Sequence, residues 1–166
     1  MSKIELAKTY EAKTVEDGIY KKWEESGFFN PDKLLGERKE SFYIAMPPPN
    51  VTGILHLGHA LENALMDIQI RYQRMRGRRA LLVPGTDHAA VATQARVEDE
   101  LKKQGIKNPR QELGREELLK RIRAFADDHK QIIISQIKKM GTSCDWSRLA
   151  YTFDKQIGRA SCRERV

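Results

Sequence analysis

The chain has 166 residues, enough to bury the core of one domain, and is 40% hydrophobic and 32% charged, which excludes a disordered polar chain. No apolar run approaches the roughly 18–20 residues of a membrane-spanning helix, and residues 1–6 lack a secretory apolar segment, so a cytoplasmic protein with no membrane partner is expected. The net charge of +7 permits a polyanionic partner, but acidic and basic residues interleave at 98–103 and 115–121 as on solvated helix faces, so charge alone assigns no function.

In chain order, residues 9–29 read as a helix with Val15, Ile19, Tyr20 and Trp23 on one side. Gly27 stops it, and Phe28 and Phe29 offer a bulky anchor. A polar connection with Pro31 and Gly36 leads to Phe42, Tyr43, Ile44, Ala45 and Met46, which predict a buried strand. Pro47, Pro48 and Pro49 end that strand because they lack amide donors, and Asn50 to Gly53 complete a stiff loop.

From about Gly58 to Arg76 the spacing is helical. Ala60, Leu61, Ala64, Leu65, Ile68, Tyr72 and Met75 recur every three or four residues, as on one side of a helix. Arg71, Arg74 and Arg76 suit the C-terminal end of the helix dipole, and Gly77 closes the helix. Residues 80–83 predict a second buried strand, broken at Pro84, Gly85, Thr86 and Asp87. A helix over about 89–103 stops at Gly105. A long helix over about 115–140 carries Leu118, Ile122, Phe125, His129, Ile132, Ile133, Ile137 and Met140 on its apolar side, and Gly141 ends it. There are no internal repeats.

Strand, helix and strand within about forty residues make a parallel βαβ unit. The fold class is therefore α/β, with a parallel core and flanking helices. Such sheets bind ligands at the carboxyl ends of their strands. Both strands end in unusual loops, the triple proline and residues 84–88, which this topology places on one edge.

The expected organisation is a helical extension over 1–41, an α/β unit over 42–155, and a non-native tail over 156–166. The tail resembles the translation of a synthetic sequencing adapter. Leaving out its three arginines and single glutamate lowers the net charge from +7 to +5. Cys144 and Cys162 form neither a disulfide framework nor a zinc site, so free thiols and no metal are expected.

The strongest chemical signal is His56-Leu57-Gly58-His59 at the mouth of a helix. The two imidazoles, three apart, share a face of the first turn, where free amides and partial positive charge favour phosphate. Gly58 and Gly53 remove side chains where a nucleotide would approach the backbone. Histidines there can donate hydrogen bonds to phosphate oxygens. Ordinary capping is one alternative; metal binding is another, though no third ligand has suitable spacing.

Residues 46–60 (Met-Pro-Pro-Pro-Asn-Val-Thr-Gly-Ile-Leu-His-Leu-Gly-His-Ala) resemble the signature segment of the class I aminoacyl-tRNA synthetases, and within them the valine branch. Residues 84–94 (Pro-Gly-Thr-Asp-His-Ala-Ala-Val-Ala-Thr-Gln) resemble the family's second segment. Tyr20 to Trp23 and Cys144 to Arg148 fit less specifically, and the likeness covers about 10–155.

This resemblance implies the first half of a Rossmann-like catalytic domain. It also implies ATP as substrate, with the Mg2+ that ATP carries, and valine and tRNA(Val) as partners. It makes His56 and His59 catalytic groups on the phosphates, with Asn50, Thr52, Gly53 and Gly58 beside the nucleotide. Asp87 becomes the ligand of the substrate ammonium, and Pro47 and Pro48 become walls beside the valine side chain. Asp87 has a second reading as a helix cap, and the prolines as strand terminators. Asp67 and Tyr72 are expected to pack, His129 to be a core or boundary histidine, and Trp23 and Trp146 to anchor flanking segments.

The family's Lys-Met-Ser-Lys-Ser segment does not occur in these 166 residues, so the chain alone is expected to be inactive. Two rivals remain: another nucleotidyl transferase built on His-x-Gly-His, and a non-catalytic RNA-binding or structural fragment.

Overall fold

Two chain segments run in parallel and are pinned together by a ladder that prolines interrupt and a single bridge resumes. In the computed structural model, which describes residues 9–154, strand β1 (Ser41–Ala45) leads through helix α2 (Leu57–Met75) to strand β2 (Arg79–Val83). The strands pair in parallel with Ser41 opposite Arg79 and Ala45 opposite Val83. Met46 N donates to Val83 O at 3.0 Å. Pro47, Pro48 and Pro49 have no amide hydrogen, so the ladder lapses. It re-forms at Asn50 and Asp87: Asp87 N donates to Pro49 O at 2.9 Å, and Val51 N donates to Asp87 O at 2.9 Å.

The break expected at 84–87 is shorter than the sequence suggests. Strand β3 (Gly85–Thr86) follows Pro84 directly and pairs in parallel with β4 (Ala150–Tyr151). Pro84 cannot donate, yet its carbonyl accepts from Ala150 N at 3.1 Å. The far end of the described chain thus lies beside Asp87, a pairing that no local pattern announces.

The remaining elements are α1 (Ala12–Ser26), α3 (Ala90–Lys103), the short α4 (Pro109–Glu112) and α5 (Gly114–Lys139), with 3-10 turns at Pro31–Lys33 and Trp146–Arg148. Gly27 ends α1 in the left-handed conformation at φ 72°, where a Cβ would be strained. The main core joins Val51, Ile70, Leu82, Ile133, Ile137 and Cys144. A smaller cluster of Val97, Leu101 and Leu118 ties α3 to α5. His129 is half-buried, stacked on Phe125, and its Nδ1 donates to the Phe125 carbonyl at 2.9 Å, as expected of a boundary residue. Tyr20 is the buried residue of α1; its hydroxyl donates to Thr142 O at 2.9 Å and accepts from Trp146 Nε1 at 2.7 Å, anchoring α1 on the turn after α5. The tail at 156–166, with Cys162, lies outside the described residues.

Two burial expectations fail. The first strand is not buried: Phe42 and Ile44 pack on the core, but Tyr43 on the other face is 74% exposed. The apolar stripe of α2 points outward, with Leu61 61%, Ile68 64% and Met75 86% exposed, and Leu65 and Tyr72 exposed as well. Tyr72 therefore does not pack in the core; Arg76 lies over its ring instead.

The buried side of α2 carries Asn63, Asp67 and Ile70. Asp67 Oδ1 accepts from Ser143 N at 2.9 Å and from the Ser143 hydroxyl, while Oδ2 accepts from Arg71 Nε at 2.6 Å. Arg74 donates to Ser143 O at 2.9 Å, and Arg71 donates to Gly141 O at 2.6 Å. The polar side goes inward because the turn at 141–145 buries backbone groups and a serine hydroxyl that require partners; satisfied, these cost little, whereas orphaned they would cost about 1–3 kcal/mol each.

Candidate active site

The two signature histidines cap the same helix end, and backbone amides fix the tautomer of each. His56 is the N-cap of α2 in extended conformation (φ −119°, ψ 175°). Its Nδ1 accepts from Gly58 N at 3.1 Å, and its own amide donates to His59 Nδ1 at 3.2 Å. The rings lie 3.9 Å apart, centre to centre. Since each Nδ1 accepts, each neutral ring carries its hydrogen on Nε2. Two N–H donors are therefore presented at the positive end of a 19-residue helix. The capping and phosphate-binding readings are compatible, because they use different nitrogens.

Gly58 has a reason the sequence does not state. A Cβ there would sit 2.9 Å from Cε1 and 3.0 Å from Nδ1 of His56, so the glycine makes room for the imidazole itself. At Gly53 a Cβ would meet nothing within 4 Å.

The loop between β1 and α2 is held from below. Val51 is fully buried, and Leu55 N donates to the Gln136 side chain of α5 at 2.9 Å. Gln136 escapes sequence reasoning because it lies 81 residues from its partner. The loop and the first turn of α2 surround a cleft of about 380 Å³ lined by Pro48, Asn50, Thr52, Gly53, His56 and His59. Pro49 shares that wall; Pro47 and Gly58 do not line it.

Asp87 sits on the adjoining rim through its pairing with Asn50. Its Oδ1 accepts from Ala89 N at 3.0 Å and from the Thr152 hydroxyl at 2.7 Å. Among the described residues Oδ2 has no hydrogen-bond partner. The Ala89 amide, and after it the Thr152 hydroxyl and the nearby His88, hold the carboxyl below the usual carboxylate range against partial burial. Asp87 is not the cap of α3, whose N-cap is Ala89 with no side-chain cap bond; it is an ionised group that takes the Ala89 amide and the Thr152 hydroxyl on one oxygen and keeps the other available. Ala89 adopts φ 43° and ψ 53° to start α3, a left-handed conformation that costs a residue with a Cβ about 1–2 kcal/mol.

Cys144 is buried, which pushes its thiol up to about 12, and it faces Met46 Sδ at 3.3 Å; it is packing rather than a nucleophile. Among the described residues, no group of three His, Cys, Asp or Glu side chains is placed to hold a metal ion.

A parallel α/β unit with paired imidazoles at a helix mouth and a carboxylate on the neighbouring strand end agrees with what the comparisons find. Residues 18–164 match the family "tRNA synthetases class I (I, L, M and V)", and the chain belongs to that family.

Within it, the chain is 47% identical over 156 residues to a valine--tRNA ligase of Clostridium acetobutylicum, covering 94% of this chain and 17% of that protein. It is 48% identical over 156 residues to the valine--tRNA ligase of Symbiobacterium thermophilum, with the same coverage. It is also 48% identical to the chloroplastic/mitochondrial valine--tRNA ligase 2 of Arabidopsis thaliana, over 94% of this chain and 16% of that one. The chain spans about 17% of the length of these relatives.

A crystal structure of the Agrobacterium radiobacter K84 agnB2 LeuRS, in a ternary complex with tRNA and LeuAMS, superposes with a TM-score of 0.73 at 18% identity, covering 94% of this chain and 18% of that one. That likeness shows a shared fold.

Proposed function

We propose that this chain is an N-terminal portion of a valine--tRNA ligase and contributes the first half of its adenylate-forming site. In the assignment, the described part of 1–41 is a helical extension and that of 42–155 the first half of the nucleotide-binding domain. The observation that supports it is the Asn50–Asp87 backbone bridge, which sets Asp87 next to Asn50, a residue that lines one cleft with His56 and His59.

In the proposed reaction the carboxylate of valine attacks the α-phosphorus of ATP, the bond to the β-phosphate breaks, and pyrophosphate leaves with that electron pair. Valyl-adenylate then transfers its acyl group to tRNA(Val) and releases AMP. The Nε2–H groups of His56 and His59 donate to the phosphate oxygens, where negative charge rearranges. Asn50, Thr52 and Gly53 line the nucleotide, and Gly58 keeps the His56 ring seated. Asp87 pairs its free oxygen with the α-ammonium of valine. Pro48 walls the side-chain position, a role that Pro47, off the cleft, does not share. ATP and its Mg2+ enter as substrate rather than resident cofactor. Among the described residues no helix is long and apolar enough to cross a membrane, which fits the proposed cytoplasmic location.

The test is valine-dependent exchange of pyrophosphate into ATP. The full-length protein should exchange with valine, and the 166-residue chain alone should not, because the family's lysine-bearing segment is absent from it. Exchange by the full-length protein that is independent of valine would reject the assignment.

A further inference from the structure

We propose that Thr152 is the positioning residue of Asp87, oriented in turn by His88. The inference rests on the reading of Asp87 as the ammonium ligand and names a residue needed for that role. Thr152 is delivered by β4: its amide donates to Thr86 O at 3.1 Å, which sets the side chain against the Asp87–His88 turn.

Three groups then meet at one hydroxyl. The oxygen is 2.7 Å from Asp87 Oδ1, accepts from His88 N at 2.9 Å, and lies 2.6 Å from His88 Nδ1. A hydroxyl has one hydrogen, and an ionised carboxylate can only accept, so that hydrogen goes to Asp87. His88 Nδ1 must then be the donor to the Thr152 oxygen, which assigns the Nδ1–H form to His88. The order is imidazole to hydroxyl to carboxylate, each bond polarising the next.

The Ala89 amide occupies the same Oδ1 at 3.0 Å. Two donors on one oxygen fix the rotation of the carboxylate and leave Oδ2 as the acceptor for an incoming ammonium. A valine at position 152 would keep the shape and remove the hydrogen. Oδ1 would then compete for the cation in a less defined orientation, and the carboxyl would lose one of the bonds that keep it ionised.

The experiment is steady-state exchange in the full-length protein with T152V, T152S and D87N. T152V should raise KM for valine about tenfold, the scale of a lost hydrogen bond to a charged group, with KM for ATP unchanged. It should also move the acid limb of kcat/KM for valine to higher pH. T152S, which retains the hydroxyl, should restore both. T152A carries the same expectation should T152V not accumulate as folded protein. If D87N raises KM for valine while T152V and T152A leave KM and the acid limb unmoved, Thr152 is only a packing residue and the inference fails. If D87N itself leaves KM for valine unchanged, the ammonium-ligand reading fails and the inference with it.

Discussion

His59 Nδ1 accepts the backbone amide of His56 at 3.2 Å, so the second histidine of the signature caps the first. The pair forms a helix N-terminus and a donor site at once, and substitutions can separate the two roles. Asparagine at position 56 can still accept the Gly58 amide but has no counterpart of the outward Nε2–H. H56N should lower exchange by the full-length protein about a hundredfold, as for loss of one transition-state donor. Its unfolding free energy should fall by less than about 1 kcal/mol, because the cap is retained. Loss of activity in proportion to loss of folded protein would show that the capping role is the whole effect.

Gly58→Ala separates them differently. Alanine gains about 1 kcal/mol of helix propensity over glycine, but its Cβ would contact the His56 ring at 2.9 Å and push it off the Gly58 amide. The lost cap bond costs about the same, so urea unfolding should change little while exchange falls. Full activity with improved stability would show that the ring has no need of that seat.

Asp87 predicts a pH dependence with a defined sign. Its folded carboxyl is lowered, first by the Ala89 amide and then by Thr152. Its contribution to stability is therefore present above the unfolded carboxylate value and disappears as pH falls through the folded one. D87N should destabilise the protein at neutral pH and flatten the acid side of its stability curve. Urea unfolding of both forms at neutral pH, and again below the ordinary carboxylate range, measures this; equal losses at both would sink it.

The outward stripe of α2 gives a contrast between neighbours. Ile68→Ser, at 64% exposure, should change unfolding free energy by under about 0.5 kcal/mol. Ile70→Ala, fully buried two residues later, should cost about 2–5 kcal/mol. Asp67→Ala strips the partners of Ser143 and Arg71 and should cost about 3 kcal/mol. Were Ile68→Ser as costly as Ile70→Ala, the helix would be facing the other way.

Ala89 holds φ 43°, where glycine carries no Cβ penalty. Ala89→Gly should raise stability by about 0.5–1 kcal/mol, the relieved strain less the added freedom of the unfolded chain. A thermal melt reads this directly, and a lowered Tm would refute it.

The parts of the fold legible in the sequence were those decided within a few residues. Gly27 stops α1 because only glycine takes a positive φ without cost, and Pro47 to Pro49 end β1 because they have no hydrogen to donate. The histidine pair at a helix mouth and the two loops at one sheet edge follow from the same local chemistry and βαβ topology. The stripe on α2 shows the limit of periodicity. Spacing says that Leu61, Leu65, Ile68, Tyr72 and Met75 share a side, but Asp67, Arg71 and Arg74 share one too. Only the turn at 141–145, with buried groups to satisfy, selected the polar side as the inner one.

From the sequence alone came the family resemblance, the order of the four longer helices and the first two strands, and the identity of the chemical groups, because each is written in adjacent residues or short spacings. The tertiary structure decided which oxygen of Asp87 is free, which nitrogen of each histidine points outward, and that Thr152, 65 residues away, would meet Asp87. Those outcomes depend on hydrogen-bond partners distant in the chain, and the direction of a donor or acceptor is settled only when its partner arrives.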